Sequence, residues 1–189
     1  WKPLWGKRAV VEDHFNELVI DLVNPAGQPE RMQLVVRGYN DGFAFCYKIP
    51  DGKGPCVNVQ SELTAYNFAG DYTAWFYNGE NHNIGPEKLT ETDGTRLPVM
   101  TVKAGDKHYM AIHEACLETG APLVLQSKGG ESLFSVASKP TSLSPGYTSA
   151  WRVVLYGTTP GVLTDSHLLE LLNPDPDSRY DLSLIHISE

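Results

Sequence analysis

Positive charge is what this sequence is shortest of. Only 15 Lys and Arg stand against 23 Asp and Glu in 189 residues, a formal net charge of −8. A nucleic-acid backbone is ordinarily met by a basic patch, and none is visible, so the composition excludes that partner. Cysteine is scarce too, at 3 residues. Cys46, Cys56 and Cys116 show no CxxC spacing, which removes a zinc signature and a disulfide framework. Free, half-buried thiols are expected, with a Cys46–Cys56 pair across a hairpin as the alternative. No apolar run approaches the roughly 20 residues needed to span a bilayer, so no membrane span is expected. The chain opens on Trp1 with neither an initiator Met nor a signal peptide, and reads as a fragment whose start is lost. Its last residues, LSLIHISE from Leu182 to Glu189, look like a translated sequencing adapter, which leaves His186 without chemical meaning.

The usual chemical signatures are also missing. There is no GxSxG, no Walker A loop and no GxGxxG, so hydrolase-elbow, P-loop and dinucleotide readings have no support. HEACL starts like the zinc-protease HExxH but carries Leu117 where the second His must stand. No segment of helical length shows a 3.6-residue apolar period, and there is no repeat or interdomain linker.

What is present is a series of strand-like segments separated by turn signals. They cover residues 9–23, 31–39, 43–49, 56–66, 73–77, 97–103, 107–117, 121–128, 132–138, 150–157 and 163–171. Many short strands at this spacing predict an antiparallel β-sandwich. NDG at 40–42 predicts a hairpin, because these residues tolerate the positive φ of tight turns. The Gly-, Asn- and Glu-rich stretch from Asn78 to Arg96 is expected to be a surface loop.

Within YMAIHEACL, strand periodicity puts Met110, Ile112, Glu114 and Cys116 on one row. A carboxylate among apolar neighbours is either a strand-end group reaching solvent or an arginine, or a functional group. His113 faces the other way and reads as a satisfied interior or interface histidine. Trp1, Trp5, Tyr72, Trp75, Phe76, Tyr77 and Trp151 are stacking candidates for sugars, and equally the material of cores and domain interfaces.

WKPLWG (1–6), EDHFNELV (12–19), RGYNDGFAFCY (38–47), AIHEACL (111–117) and the segments AWRVVLYG and PGVLTDSHLLELLNP (150–174) together resemble the N-terminal domain of glycoside hydrolase family 97. The resemblance runs in order across the natural part of the chain. It implies a large exo-acting glycosidase, mostly α-glucosidases with some α-galactosidases, located in the periplasm or secreted. It further implies an all-β fold, a large antiparallel β-sandwich (super-sandwich), here truncated. The catalytic (β/α)8 barrel is absent from this chain, and a small C-terminal β domain is expected beyond it. Residues 1–181 would then be the N-terminal domain, lacking its opening strands, with 182–189 as the adapter. The domain's own barrel and an oligosaccharide are the implied partners. In that family the glutamate of the HEA segment joins barrel carboxylates around a calcium ion, a position matched by Glu114. Catalytic acid, base and nucleophile would all lie in the barrel, so no catalytic residue is expected in this chain. Trp1, Trp5, Trp151 and Arg152 would belong to the surface against the barrel, and a free-standing carbohydrate-binding sandwich is the alternative reading.

Overall fold

The computed structural model describes residues 7–23, 26, 29–79, 83–118 and 121–175. Trp1, Trp5 and the segment 182–189 lie outside the described residues. The described residues form an all-β antiparallel sandwich with two short helices after its last strand. Its strands are β1 (Asn16–Val23), β2 (Pro29–Tyr39), β3 (Gly42–Lys48), β4 (Val57–Val59), β5 (Ala65–Asn67), β6 (Thr73–Tyr77) and β7 (Asn83–Lys88). They continue with β8 (Asp93–Lys103), β9 (Tyr109–Ala115), β10 (Leu125–Lys128), β11 (Leu133–Val136), β12 (Thr141–Leu143) and β13 (Trp151–Gly157). The helices are α1 (Pro160–Asp165) and α2 (Leu168–Leu171).

The main sheet runs in the order β1-β2-β3-β13-β9-β8-β10-β11-β5, with β6 and β7 branching from β8. Strand β8 makes the corner. Its Met100–Lys103 half pairs with β9, while its Asp93–Arg96 half pairs with β10 and leads into the second layer. Side-chain alternation then gives the β13-β9-β8 region two buried faces. On one face Met100, Val102 and Ile112 meet Phe76, Leu123, Leu125 and Phe134. On the other, Ala44, Ala111, Val153 and Leu155 meet Leu168 and Leu172 of the helical segment.

Five expectations need correction. The segment 56–66 is not one strand: β4 ends at Val59 and β5, in another sheet, begins at Ala65. Residues 163–171 are not a strand but contain the end of α1 and all of α2: Pro160 stands at the first helical position, where its missing N–H costs nothing, and α1 and α2 are too short to display a 3.6-residue period. The stretch 78–96 is not a loop: β7 pairs with β6, Leu89 is fully buried in a 3-10 turn, and β8 begins at Asp93. An exposed edge hairpin keeps a polar composition, which hides the strand. The segment 9–23 is a strand only from Asn16 onwards. Finally, the three cysteines are free, but only Cys116 is half-buried, Cys46 being buried and Cys56 exposed.

The predicted hairpin is present, with Tyr39 paired to Gly42 across Asn40 and Asp41. Its expected reason holds at Gly42 alone, whose φ is +159°. Cys116 is the sole described non-glycine residue with positive φ, so Asn40 and Asp41 turn the chain without it. Gly42 is required by close approach: a Cβ there would stand 2.3 Å from the Val154 carbonyl oxygen. Because that neighbour is backbone, Gly42→Ala is expected to cost about 1–3 kcal/mol. Gly38→Ala, with nothing within 4 Å of its added Cβ, should stay within about 0.5 kcal/mol of the parent in urea unfolding. Equal effects would refute the close-approach account.

Candidate functional site

Glu114 sits on β9, and the sheet register shows what shares its row. Leu18 pairs with Val36, Val36 with Phe45, Phe45 with Arg152 and Arg152 with Glu114, across five strands. The row is apolar until it reaches a buried charge cluster. Arg152 is 3% exposed. Its Nε and Nη2 donate to the two carboxylate oxygens of Glu62 at 3.1 and 2.8 Å, a bidentate pair. Its Nη1 lies 3.6 Å from Glu114 Oε2, whose side chain is 8% exposed. The Leu123 N–H also donates to that Oε2.

Two carboxylates therefore share one guanidinium in a poorly hydrated place, an arrangement that is net negative when both are ionised. Burial pushes the Glu114 carboxyl above its ordinary value, and the Leu123 N–H and Arg152 only partly oppose that. The Tyr66 phenol feels the same charges and is pushed up by burial. Its hydroxyl is buried without a hydrogen-bond partner among the described residues. Beside Glu62 and Arg152 opens a cavity of about 880 Å³ lined by Tyr47, Leu63, Val124 and Tyr147.

Strand-end chemistry limits what the predicted row contributes. Ile112 is buried and Met110 half-buried beside Glu114, but β9 ends at Ala115. Cys116, at φ +54°, leaves the row, and its N–H donates to Asn173 Oδ1. His113 lies on the opposite face, in the row of Val153 and Ala44, and its Nδ1 accepts the Glu114 N–H at 2.8 Å. Burial lowers its pKa, which keeps that nitrogen an acceptor.

Trp151 and Arg152 are buried rather than surface groups: Trp151 packs into the core beside Ala115 and Val153. The expectation that they face a neighbouring domain is corrected to an interior role, because β13 is central in the sheet and covered on both faces. Phe76 is core, while Trp75 and Tyr77 are exposed on one side of β6. Glu62 escaped sequence reasoning altogether. It lies 90 residues from Arg152 in a connection between two three-residue strands, and no spacing marks it.

Among the described residues, no group of three or more His, Cys, Asp or Glu could by itself hold a metal ion. No helix among them is long and apolar enough to cross a membrane.

A family model described as glycosyl-hydrolase 97 N-terminal matches residues 1–174. The chain belongs to that family. In fold it is similar to a glycoside hydrolase family 97 enzyme from Pseudoalteromonas sp. in complex with acarbose. The TM-score is 0.77 at 24% identity, over 97% of this chain and 29% of that one. The same figures hold for a variant of that enzyme in complex with panose. A beta-arabinopyranosidase is similar at TM-score 0.66 and 18% identity, over 78% of this chain and 28% of its own. The chain thus spans less than a third of the length of these solved structures, and is an N-terminal domain of the all-β kind.

Removing the shared cation should be severe. Arg152→Met leaves Glu62 and Glu114 facing each other in the interior, and is expected to cost about 3–5 kcal/mol at neutral pH. The loss should shrink at acid pH, where Glu114 takes up a proton. Glu114 itself works in the opposite direction. With its folded pKa raised, the folded state keeps a proton above pH 4.5 that the unfolded state has already lost, so stability falls as pH rises through that window. Glu114→Gln should flatten this fall and leave the melting temperature at neutral pH equal or higher, by on the order of 2 °C. A lower melting temperature would mean that ionised Glu114 stabilises the domain.

Proposed function

We propose that this chain is the N-terminal domain of a calcium-dependent, exo-acting α-glycosidase of carbohydrate degradation, α-glucosidase-like and periplasmic or secreted. In this reading the domain packs on a catalytic barrel of the same polypeptide, the substrate is an oligosaccharide, and Glu114 supplies one ligand to a calcium ion at the interface. The observation that carries it is the unbalanced charge at Arg152: one guanidinium for two carboxylates, with the orphan Tyr66 hydroxyl close by. A hard cation, which prefers oxygen ligands, suits that donor set.

The fit is that of one arm and not of a whole site. Calcium takes about six to eight oxygens, and a single carboxylate already bonded to Leu123 and Arg152 supplies one or two. The remaining ligands would have to come from the barrel. Bound beside the sugar, the ion would supply a fixed positive charge that orients and stabilises the reacting ring. This chain's own part is to hold the carboxylate: β9 sets its direction, the Leu123 N–H fixes Oε2, and Glu62 keeps Arg152 from closing fully on Glu114. Proton transfer and attack on the sugar fall to barrel carboxylates.

The competing reading, a free-standing sugar-binding sandwich, draws on Trp75 and Tyr77, exposed on one side of β6. The two readings separate in one experiment on the full-length polypeptide. Calcium titrated calorimetrically should bind with an affinity that Glu114→Gln weakens by about tenfold or more, and α-glucoside hydrolysis should fall with chelation. Unchanged calcium binding in Glu114→Gln removes the ligand role. Oligosaccharide binding to the 189-residue chain alone, abolished by Trp75→Ala, would establish the sugar-binding module instead.

A further inference from the structure

The end of β9 is held from both faces of the main sheet. On one face Leu168 and Leu172 of the helical segment, 1% and 4% exposed, pack against Ala111, Ala115 and Trp151. On the other, Glu114 Oε2 accepts the Leu123 N–H, and Leu123 is itself buried among Met100, Ile112 and Leu125. Cys116 stands between the two. It follows the last residue of β9 at φ +54°, a left-handed conformation that a non-glycine residue holds at a cost and keeps only where its surroundings impose it. Here a side chain imposes it. The Cys116 N–H donates to Asn173 Oδ1 at 2.8 Å, across 57 residues of sequence, while Asn173 Nδ2 donates to the Leu169 carbonyl at 2.7 Å. With its nitrogen spent on α2, Asn173 has only its oxygen to offer, and the pair of bonds fixes the head group in one orientation.

We propose that Asn173 is a positioning residue for Glu114, acting from the opposite face of the sheet through the turn at Cys116. Asn173 holds that turn, the turn sets the path by which the chain crosses to the second layer, and the path delivers the Leu123 N–H to the carboxylate. Leu123 and Arg152 both meet Oε2, so Oε1 is the oxygen that Glu114 can offer a cation. A carboxylate fixed by one oxygen keeps the other in a set direction, which is what a metal ligand needs from the groups behind it. The consequence for calcium rests on the ligand role proposed above for Glu114, whereas the positioning does not.

The test uses the full-length polypeptide, with hydrogen exchange read without metal and calcium then titrated calorimetrically. Asn173 is exposed, so Asn173→Ala removes no core packing. It should speed exchange of the Leu123 amide by about tenfold while the amides of β13 keep their protection. Calcium affinity should fall by about threefold to tenfold, the worth of one hydrogen bond. Cys116→Gly, which reaches positive φ without a side-chain penalty, should bring both values in the Asn173→Ala background back to within about twofold of the parent. In the Glu114→Gln background, Asn173→Ala should cost no further affinity, as befits a group that acts through Glu114. Asn173→Gln, with the same amide one carbon further out, serves if Asn173→Ala fails to fold. Unchanged exchange at Leu123, a loss that Cys116→Gly does not recover, or a loss that persists in full beside Glu114→Gln overturns the proposal. If Glu114→Gln alone leaves calcium affinity unchanged, the ligand reading fails by itself, and the positioning is then decided by exchange at Leu123.

Discussion

Arg152 holds the interior of this domain together. It stands on the central strand β13, is nearly inaccessible, and joins the connection carrying Glu62 to the strand carrying Glu114. A buried guanidinium is tolerable only when its donors are used, and here Glu62 takes two of them in a fork that fixes both groups. Ala121 offers its carbonyl at 3.5 Å, on the far side of the same head group. The pair also stations the positive charge where Glu114 can share it. The surplus negative charge that results follows directly from having one cation and two anions in a place water reaches poorly.

The cost of that surplus falls on stability. A domain concerned only with folding would gain from an apolar residue at position 114, as its neighbours Ile112 and Ala115 illustrate by their burial. Holding an ionisable group against the desolvation that raises its pKa is the pattern of residues kept for binding or chemistry. His113 makes the contrast, because the adjacent position on the same strand carries a titratable group that is simply satisfied.

Much of the architecture was legible from alternation alone. Strands β2, β3, β6, β9 and β13 fall close to their expected ranges, since each carries apolar residues at every second position with turn residues beyond. What could not be read falls into two kinds. Short or polar elements carry too few residues for a period to emerge, as with α1, α2 and the edge strand β7. Long-range partners leave no mark in spacing at all: Glu114 announced itself as an oddity on an apolar row, but neither Glu62 nor the burial of Arg152 could be read from it. Their meeting depends on the second layer folding over β13, which is a property of topology.

The open half of the sheet and the charge cluster share one face, and that has an electrostatic consequence. The row from Leu18 to Glu114 passes from solvent into the interior without changing sides. Any layer placed over β1, β2 and β3 would lower the effective dielectric around Glu62, Arg152 and Glu114. Attraction to the guanidinium would strengthen, and so would the penalty on the unmatched carboxylate, because both scale inversely with that dielectric. Covering this face therefore makes a cation at Glu114 more favourable, and a cation at Glu114 makes covering the face less costly.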